Sequence, residues 1–306
     1  TEADIPEFMQ GVPFLGEHEG EEREQVYGHR DRVDEVRDLA RSVRDQRWLY
    51  IRNYMPHLGY NQPTSWPDQG EIRHEFYRLT DAGEMTSAQW RFAAPTRPVE
   101  ELYDCEADPL NLDNLADRKE HQEALERMRE AHRDHIEATR DLGFIPESEA
   151  WKLFEGTTGW EAGKELDLEP IFDSAARVGM APEAEIAEHV NDKDPSIRYW
   201  SALGLGAQPE LGRSATVKLM QQLDRERSSA PKLEIATALL RHQSLKKGLI
   251  HLIAELKKDD LTAVLHAARN LEVLWSKSAE AIPEMKALRD RCYEIRPPDT
   301  PPTVVT

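Results

Sequence analysis

The sequence has few of the residues and segments that cross-link a chain or anchor it in a membrane. It contains 2 cysteines in 306 residues, which excludes a disulfide scaffold and a cysteine-based zinc ribbon. No apolar run approaches the roughly 18 residues of a membrane-spanning helix, and no signal-peptide pattern opens the chain. Because the first residue is Thr1 rather than Met, we expect a processed chain or a fragment.

Positive charge is also scarce. Lysine and arginine number 39 against 58 aspartates and glutamates, which gives a formal net charge of -19. Such a field repels phosphate, so we expect neither a nucleic acid nor a membrane as partner. Charged residues still make up 32% of the chain, against about a quarter in an average protein. This enrichment is typical of long helices with one solvated face.

The sequence contains no recognisable catalytic constellation. It has no Gly-x-Ser-x-Gly nucleophile elbow, and the glycine-rich segment 159–165 is one residue short of a phosphate-binding loop. Cys105 stands between Asp104 and Glu106, whose charges would disfavour a thiolate. His132 and His135 could share a metal, but a partly covered helix explains them better. We therefore predict no catalytic and no metal-ligating residue in this chain.

The first half predicts a small antiparallel sheet with helices. Residues 1–35 look like an acidic loop, and alternating aromatics within 36–54 predict a β-hairpin, although its first strand could instead be helical. Periodicity then predicts two short helices, a strand and a long helix, over 69–79, 85–92, 101–104 and 118–141. In the long helix a single narrow buried stripe is predicted by the helical spacing of Leu125, Met128, His132, Ile136 and Thr139. We expect Gly143 to cap this helix.

The second half reads as helical and repetitive. Three similar segments begin 36 and then 31 residues apart, and each follows a weaker helix: 197–203 (IRYWSAL), 233–239 (LEIATAL) and 264–271 (VLHAARNL). Paired helices with a period in the thirties are typical of an α-solenoid. The segment 192–198 (DKDPSIR) resembles the inter-helix turn of a HEAT repeat. We predict a linker over 146–167, a HEAT-like α-solenoid over 168–295 and a disordered tail over 296–306.

One stretch is basic within this acidic chain. Residues 36–54 hold five arginines against two aspartates, and arginine forks bind oxyanions with two hydrogen bonds. The alternative is that this stretch is the solvated face of a hairpin, on which the arginines pair with local carboxylates. Composition alone favours that second interpretation.

A family resemblance changes this balance. The chain resembles the C-terminal part of a type I sulfatase, of the branch like heparan N-sulfatase, over roughly residues 4–145. The similar segments are 5–11 (IPEFMQG), 27–35 (YGHRDRVDE), 41–56 (RSVRDQRWLYIRNYMP), 100–109 (EELYDCEADP) and 114–116 (NLA). The family's formylglycine signature, Cys- or Ser-x-Pro-Ser-Arg, and its calcium ligands lie upstream of the matched region and are absent here.

The resemblance implies a substrate, a cofactor and a cellular location. It implies a sulfatase C-terminal subdomain over 1–145, serving hydrolysis of a sulfate ester or sulfamate on a sugar, with calcium held by residues outside this chain. Family analogy places such enzymes in the periplasm or outside the cell. The candidate substrate-binding residues are His29, Arg30, Asp31, Asp34, Glu35 and His57.

Within that set, Arg30 would meet a sulfate or carboxylate and the acids would accept hydrogen bonds from sugar hydroxyls. The alternative is a non-catalytic module that uses its helical repeats to bind a protein partner. An independent enzyme with an unrecognised site is the weakest interpretation.

Overall fold

The computed structural model describes Pro6, Met9 and residues 11–21, 23–243 and 246–295. The fold is α+β, as predicted, with a four-stranded antiparallel sheet followed by helices. The strands lie side by side in chain order: β1 (Val26–Arg30), β2 (Ala40–Arg44), β3 (Trp48–Asn53) and β4 (Glu100–Asp104). The predicted tail 296–306 lies outside the described residues.

Helices occupy most of the remaining described chain. Those of the first half are α1 (Glu71–Ala82), α2 (Ser87–Ala93), α3 (Gln122–Ala138), α4 (Glu147–Leu153) and α5 (Gly159–Lys164). Those of the second half are α6 (Glu169–Ala176), α7 (Glu183–Ile186), α8 (Pro195–Gly206), α9 (Arg213–Arg225), α10 (Ser229–Gln243), α11 (Lys246–Glu255), α12 (Leu261–Val273) and α13 (Ile282–Ile295). Within the described ranges, none of them is long and apolar enough to cross a membrane.

One stripe of side chains joins the four strands. The register sets Tyr27 opposite Val43, Val43 opposite Tyr50, and Tyr50 opposite Leu102. Paired residues project to the same face of a sheet, and here that face packs on the buried residues of α3, which include Met128. The hairpin and the buried stripe of α3 are therefore confirmed.

The expectation of a loop throughout residues 1–35 is wrong at one place. Residues Val26–Arg30 form the edge strand β1, whose side chains are exposed or half-buried. Of its five residues only Tyr27 packs partly on the core, so the strand lacks the alternation of apolar residues that would give a strand signal. The first hairpin strand is β2 and not a helix, because it pairs with β1 on one side and β3 on the other.

The predicted cap of the long helix is also wrong. Helix α3 ends at Ala138, and Arg140 takes the left-handed backbone conformation (φ 51°) that a glycine would ordinarily supply. Its guanidinium donates to the carbonyl of Gly163, at 2.7 Å from Nη2, which fixes this turn. Gly143 lies instead in a 3-10 turn (Leu142–Phe144) that brings Phe144 into the core.

The segment 146–167, predicted to be an irregular linker, contains the helices α4 and α5. The Thr158 hydroxyl accepts from the Glu161 amide and caps α5. Apolar residues on both sides of this segment share a core, and Trp200 Nε1 donates to the Phe144 carbonyl at 2.8 Å. The predicted domain boundaries remain a prediction, while the apolar core crosses them.

Each of the three repeated segments lies in a long helix. These are α8, α10 and α12, and the weaker helices expected before them are α7, α9 and α11. Helix α10 packs between α8 and α12. Helices α8 and α10 approach each other closely, and this requires small residues at their contact. A Cβ placed on Gly206 of α8 would lie only 3.3 Å from the Cβ of Ala238 on α10.

Candidate functional site

We call residues 23–145, which contain the four strands, the sheet region, and residues 146–295, which contain α4 to α13, the helical region. A cleft of about 340 Å³ lies between them. It is bounded by the chain after β1, by the segment 142–154 with α4, and by α8 and α12. Apolar side chains such as Phe144, Trp200 and Leu265 supply most of its wall. This volume is typical of a small-ligand site.

The Arg37 guanidinium connects the sheet region to three helices. It donates to the Tyr199 hydroxyl on α8 and to the side-chain oxygen Oδ1 of Asn270 on α12, both at 2.7 Å, and to Glu234 Oε1 on α10 at 3.0 Å. His266 Nε2 lies 2.6 Å from the same Glu234 oxygen. Arg37 and Glu234 are thus a buried ion pair with neutral hydrogen-bond partners around it.

Charge states in this cluster follow from burial and from the ion pair. Burial alone would raise the pKa of the Glu234 carboxyl, but the Arg37 guanidinium and the His266 hydrogen bond hold that pKa well below its usual range. Burial and the Arg37 charge lower the pKa of His266. His266 is therefore neutral at pH 7 and donates its Nε2 proton to the Glu234 carboxylate.

A second set of polar groups lies at the mouth of the cleft. Arg32 holds Glu147 with two hydrogen bonds, Nε to Oε2 at 2.7 Å and Nη2 to Oε1 at 2.9 Å. Trp151 Nε1 donates to Glu147 Oε1 at 3.4 Å while 62% of the tryptophan is exposed. The hydrogen bond from Arg32 lowers the pKa of Glu147. This carboxylate is charged and fixed between two donors.

The structure places His29 and Arg30 on the edge strand. His29 is exposed and lines a separate groove of about 360 Å³, beside Arg140, Trp160 and Lys164. Arg30 Nε lies 2.6 Å from Oδ2 of the buried Asp38, and 48% of the arginine side chain remains exposed. Asp38 also binds the buried Arg97 with both carboxylate oxygens. Arg30 is thus already paired, with part of its guanidinium edge open to solvent.

Three of the candidate acids lie in the loop that follows β1. Asp31 lines the cleft, and its Oδ1 lies 2.9 Å from Nη2 of the buried Arg41. Asp34 is exposed with a positive φ of 49°, and its carbonyl accepts from Arg32. Glu35 turns to another loop and accepts from the Ser65 amide. Burial by itself would raise the pKa of the Glu35 carboxyl. Hydrogen bonds from that loop outweigh this effect, so the pKa is lowered.

His57 lies away from the other five candidates in an inner cavity of about 20 Å³. Its Nδ1 is buried and hydrogen bonds to no described atom. Burial, with the nearby Arg241 charge, lowers the pKa of His57 to about 3. Four of the candidates thus face a groove, a cleft, another loop and an internal cavity, while Arg30 pairs with Asp38 and Asp34 is exposed. The six do not converge on one point.

Sequence reasoning missed the residues that line the cleft most closely. Arg37 was noted within the basic stretch, but the cleft-lining His266 and Trp151 were not singled out. The buried Glu234, which pairs with Arg37, was not singled out either. A usable signal was present, because Glu234 and His266 interrupt apolar segments of the repeated helices. A charged residue inside an apolar helix indicates a buried partner from elsewhere in the chain.

The two histidines of α3 have structural roles. His132 is 6% exposed, its Nε2 lies 3.3 Å from the Tyr54 hydroxyl, and burial lowers its pKa to about 3. His135 stacks on Tyr27 with ring centroids 3.6 Å apart. Among the residues that the structure describes, no group of three or more His, Cys, Asp or Glu could hold a metal ion.

Comparison with known proteins points to one activity class. No family model matches the chain. An ulvan-active sulfatase from Formosa agariphila is 38% identical over 152 residues, which are 49% of this chain. The chain spans 26% of the length of that relative. About half of this chain is therefore a sulfatase-related region.

Proposed function

We propose that this chain is the C-terminal portion of a sulfatase that hydrolyses sulfate esters or sulfamates on sugars. The observation that carries the proposal is the 38% identity to a sulfatase over 49% of the chain. The sulfatase-like segments 27–35, 41–56 and 100–109 support it, since they fall on the four strands and their adjoining loops. The branch that includes heparan N-sulfatase is part of this proposal.

In this proposal the chain supplies a wall of the substrate cleft and a scaffold for it. His29 and the open edge of Arg30 are the groups most exposed to a ligand beside the sheet. Arg30 would bind a sulfate or carboxylate oxygen, and the Asp31 and Asp34 carboxylates would accept hydrogen bonds from sugar hydroxyls. The nucleophile and calcium would be held by residues outside these 306, and the enzyme would act in the periplasm or outside the cell.

The helical part is proposed to be a HEAT-like repeat array. The alternation of α7 to α12 as three weak–strong pairs supports this, as does the packing of α10 between α8 and α12. Exposed apolar residues such as Ile250 and Leu261 lie on these helices. They favour a second role, in which the array contacts a protein partner.

Sulfate release by the complete native polypeptide tests the proposal. Ulvan oligosaccharides serve as substrate, because the similar protein is an ulvan-active sulfatase. We expect sulfate release, abolished when the Cys or Ser of an upstream Cys- or Ser-x-Pro-x-Arg signature is replaced by Ala. The 306-residue chain alone should release none. A complete polypeptide without such a signature, or one inert on ulvan and on N- and O-sulfated glycosaminoglycans, would contradict the proposal.

A further inference from the structure

We propose that the cleft beside α4 is a second carbohydrate site, which holds an unsulfated sugar ring of the polymer on the face of Trp151. The inference rests on the proposed function for its ligand class, and of the six candidate substrate-binding residues only Asp31 lines this cleft. Nothing in the sulfatase-like resemblance assigns a ligand to the junction between the sheet and the helical region.

Trp151 is a preorganised platform. The indole is 62% exposed at the mouth of a 340 Å³ cleft, and its Nε1 donates to Glu147. Arg32 holds that same carboxylate with two further hydrogen bonds. An aromatic face kept in place by its polar edge presents a broad apolar surface at little entropic cost. The C–H face of a sugar ring is a suitable partner for it.

A buried hydroxyl in the same wall lacks a partner. Ser148 precedes Trp151 by three residues, so both side chains lie on one face of α4. Ser148 lines the cleft and is 5% exposed, and its Oγ hydrogen bonds to no described atom. A buried polar atom left unpaired has lost its hydrogen bonds to water without replacing them, which is unfavourable. A hydroxyl group of a bound sugar would supply the missing partner.

The charges of the cleft favour a neutral ring over a sulfated one. The Arg32 guanidinium is occupied by Glu147, and the Arg37 guanidinium is occupied by Glu234. Asp31 is half exposed at the same wall and adds negative charge. Carboxylates accept hydrogen bonds from sugar hydroxyls but repel sulfate. A polymer would therefore place an unsulfated ring here.

Binding of oligosaccharides to the full 306-residue chain tests the site without any need for catalysis. The probes are ulvan oligosaccharides, their chemically desulfated form, and neutral oligosaccharides of glucose, xylose, mannose and galactose, each titrated to about 10 mM by calorimetry. We expect at least one unsulfated probe to bind. Trp151→Ala should weaken that binding at least tenfold, Trp151→Phe about threefold or less, and Ser148→Ala by an intermediate factor.

The matched control is Trp66→Ala, since Trp66 is 71% exposed and does not line the cleft. It should leave affinity unchanged within about twofold. Equal urea midpoints for all variants establish that they fold. Equal affinity for Trp151→Ala and wild type, or no binding by any unsulfated probe, overturns the inference.

Two further outcomes separate this site from the proposed function. Binding that requires sulfate and depends on Arg30 but not on Trp151 would overturn the cleft site and leave the sulfatase proposal standing. Trp151-dependent binding of a neutral sugar, by a chain whose complete polypeptide releases no sulfate, would support the cleft site and refute the sulfatase proposal.

Discussion

The sheet region and the helical region bury different kinds of side chain. The sheet region encloses charged groups in pairs, among them Arg97 with Asp38 and Arg41 with Asp141. The main core of the helical region is built almost entirely from leucine, alanine and isoleucine. Buried charged groups of the helical region, such as Glu226, which pairs with Arg198, are not part of that apolar core. The group centred on Glu234 reaches Arg37 of the sheet region.

Apolar burial and buried ion pairs contribute differently to the fold. Apolar burial is non-directional and gives each region its stability. An ion pair with defined hydrogen bonds has one geometry, so it can specify how two layers are positioned. Arg37, which reaches α8, α10 and α12, is the group that would set the angle between the regions.

The largest expected effect comes from breaking the buried pair on the helical side. Glu234→Ala leaves the Arg37 guanidinium buried without its counter-charge, and we expect a loss of about 3–5 kcal/mol in the free energy of unfolding. Urea denaturation followed by circular dichroism measures it. Glu280→Gln removes an exposed ion pair with Lys246 and should cost about 0.5 kcal/mol or less. Similar losses for the two variants would refute the role of the pair.

The next largest loss of stability is expected from a change in the apolar core of the helical region. Leu239 is fully buried in α10, and Leu239→Ala should cost about 2–5 kcal/mol through lost burial and a cavity. The same urea titration measures it, with the exposed Leu261→Ala as control. A loss below about 1 kcal/mol would mean that the helices repack freely, which contradicts a close-packed array.

The sheet region should show the stronger response to acid. Burial, with the nearby Arg52 charge, lowers the pKa of His132 in the folded state to about 3, below the 6.5 of an ordinary histidine. Above pH 6.5 the histidine is neutral in both the folded and the unfolded state. As pH falls from 6.5 toward 3, the unfolded state binds a proton that the folded state does not, so the folded state loses stability. Between pH 6.5 and 3 we expect this residue to remove about 1.4 kcal/mol of stability per pH unit.

Urea midpoints measured from pH 7 to 5 test this slope. His132→Gln should flatten it, and His18→Gln, a change of an exposed histidine, should leave it unchanged. A slope that survives His132→Gln intact would place the acid sensitivity elsewhere.

The smallest expected effect on stability is at the edge strand. Arg30→Ala leaves Asp38 bound to Arg97, so the free energy of unfolding should fall by about 1 kcal/mol or less. If Arg30 contacts the substrate, KM of the complete sulfatase should rise about fivefold with little change in kcat. Unchanged KM would remove Arg30 from the substrate wall and confine it to its pair with Asp38.

The elements with a strong periodic signal were predictable, and the others were not. Alternating Trp48 and Tyr50 predicted the second strand of the hairpin, and the spacing of Leu125, Met128 and Ile136 predicted the buried face of α3. Strand β1 has one partly buried apolar residue, Tyr27, so its pairing with β2 leaves no alternating pattern in the sequence. The end of α3 depends on Arg140 and a carbonyl 23 residues away, which is a tertiary effect.

The candidate site was only partly predictable for a similar reason. Resemblance selected one continuous stretch, His29 to Glu35, and the structure distributes its side chains over different surfaces. The cleft is assembled from residues far apart in sequence, since Arg37, Trp151 and His266 all line it. Contacts of that kind are decided by how the layers pack. A charged residue in an apolar helix indicates that it has a buried partner, but the local pattern does not say which residue that partner is.

The intact mass of the native polypeptide from its source, with its upstream peptide sequence, tests the central claim most directly. The claim is that these residues are the C-terminal portion of a sulfatase. We predict a mass well above the 35.1 kDa of this chain and an upstream peptide with a Cys- or Ser-x-Pro-x-Arg signature. A native polypeptide of 35.1 kDa without that signature would contradict the claim and favour the protein-interaction module.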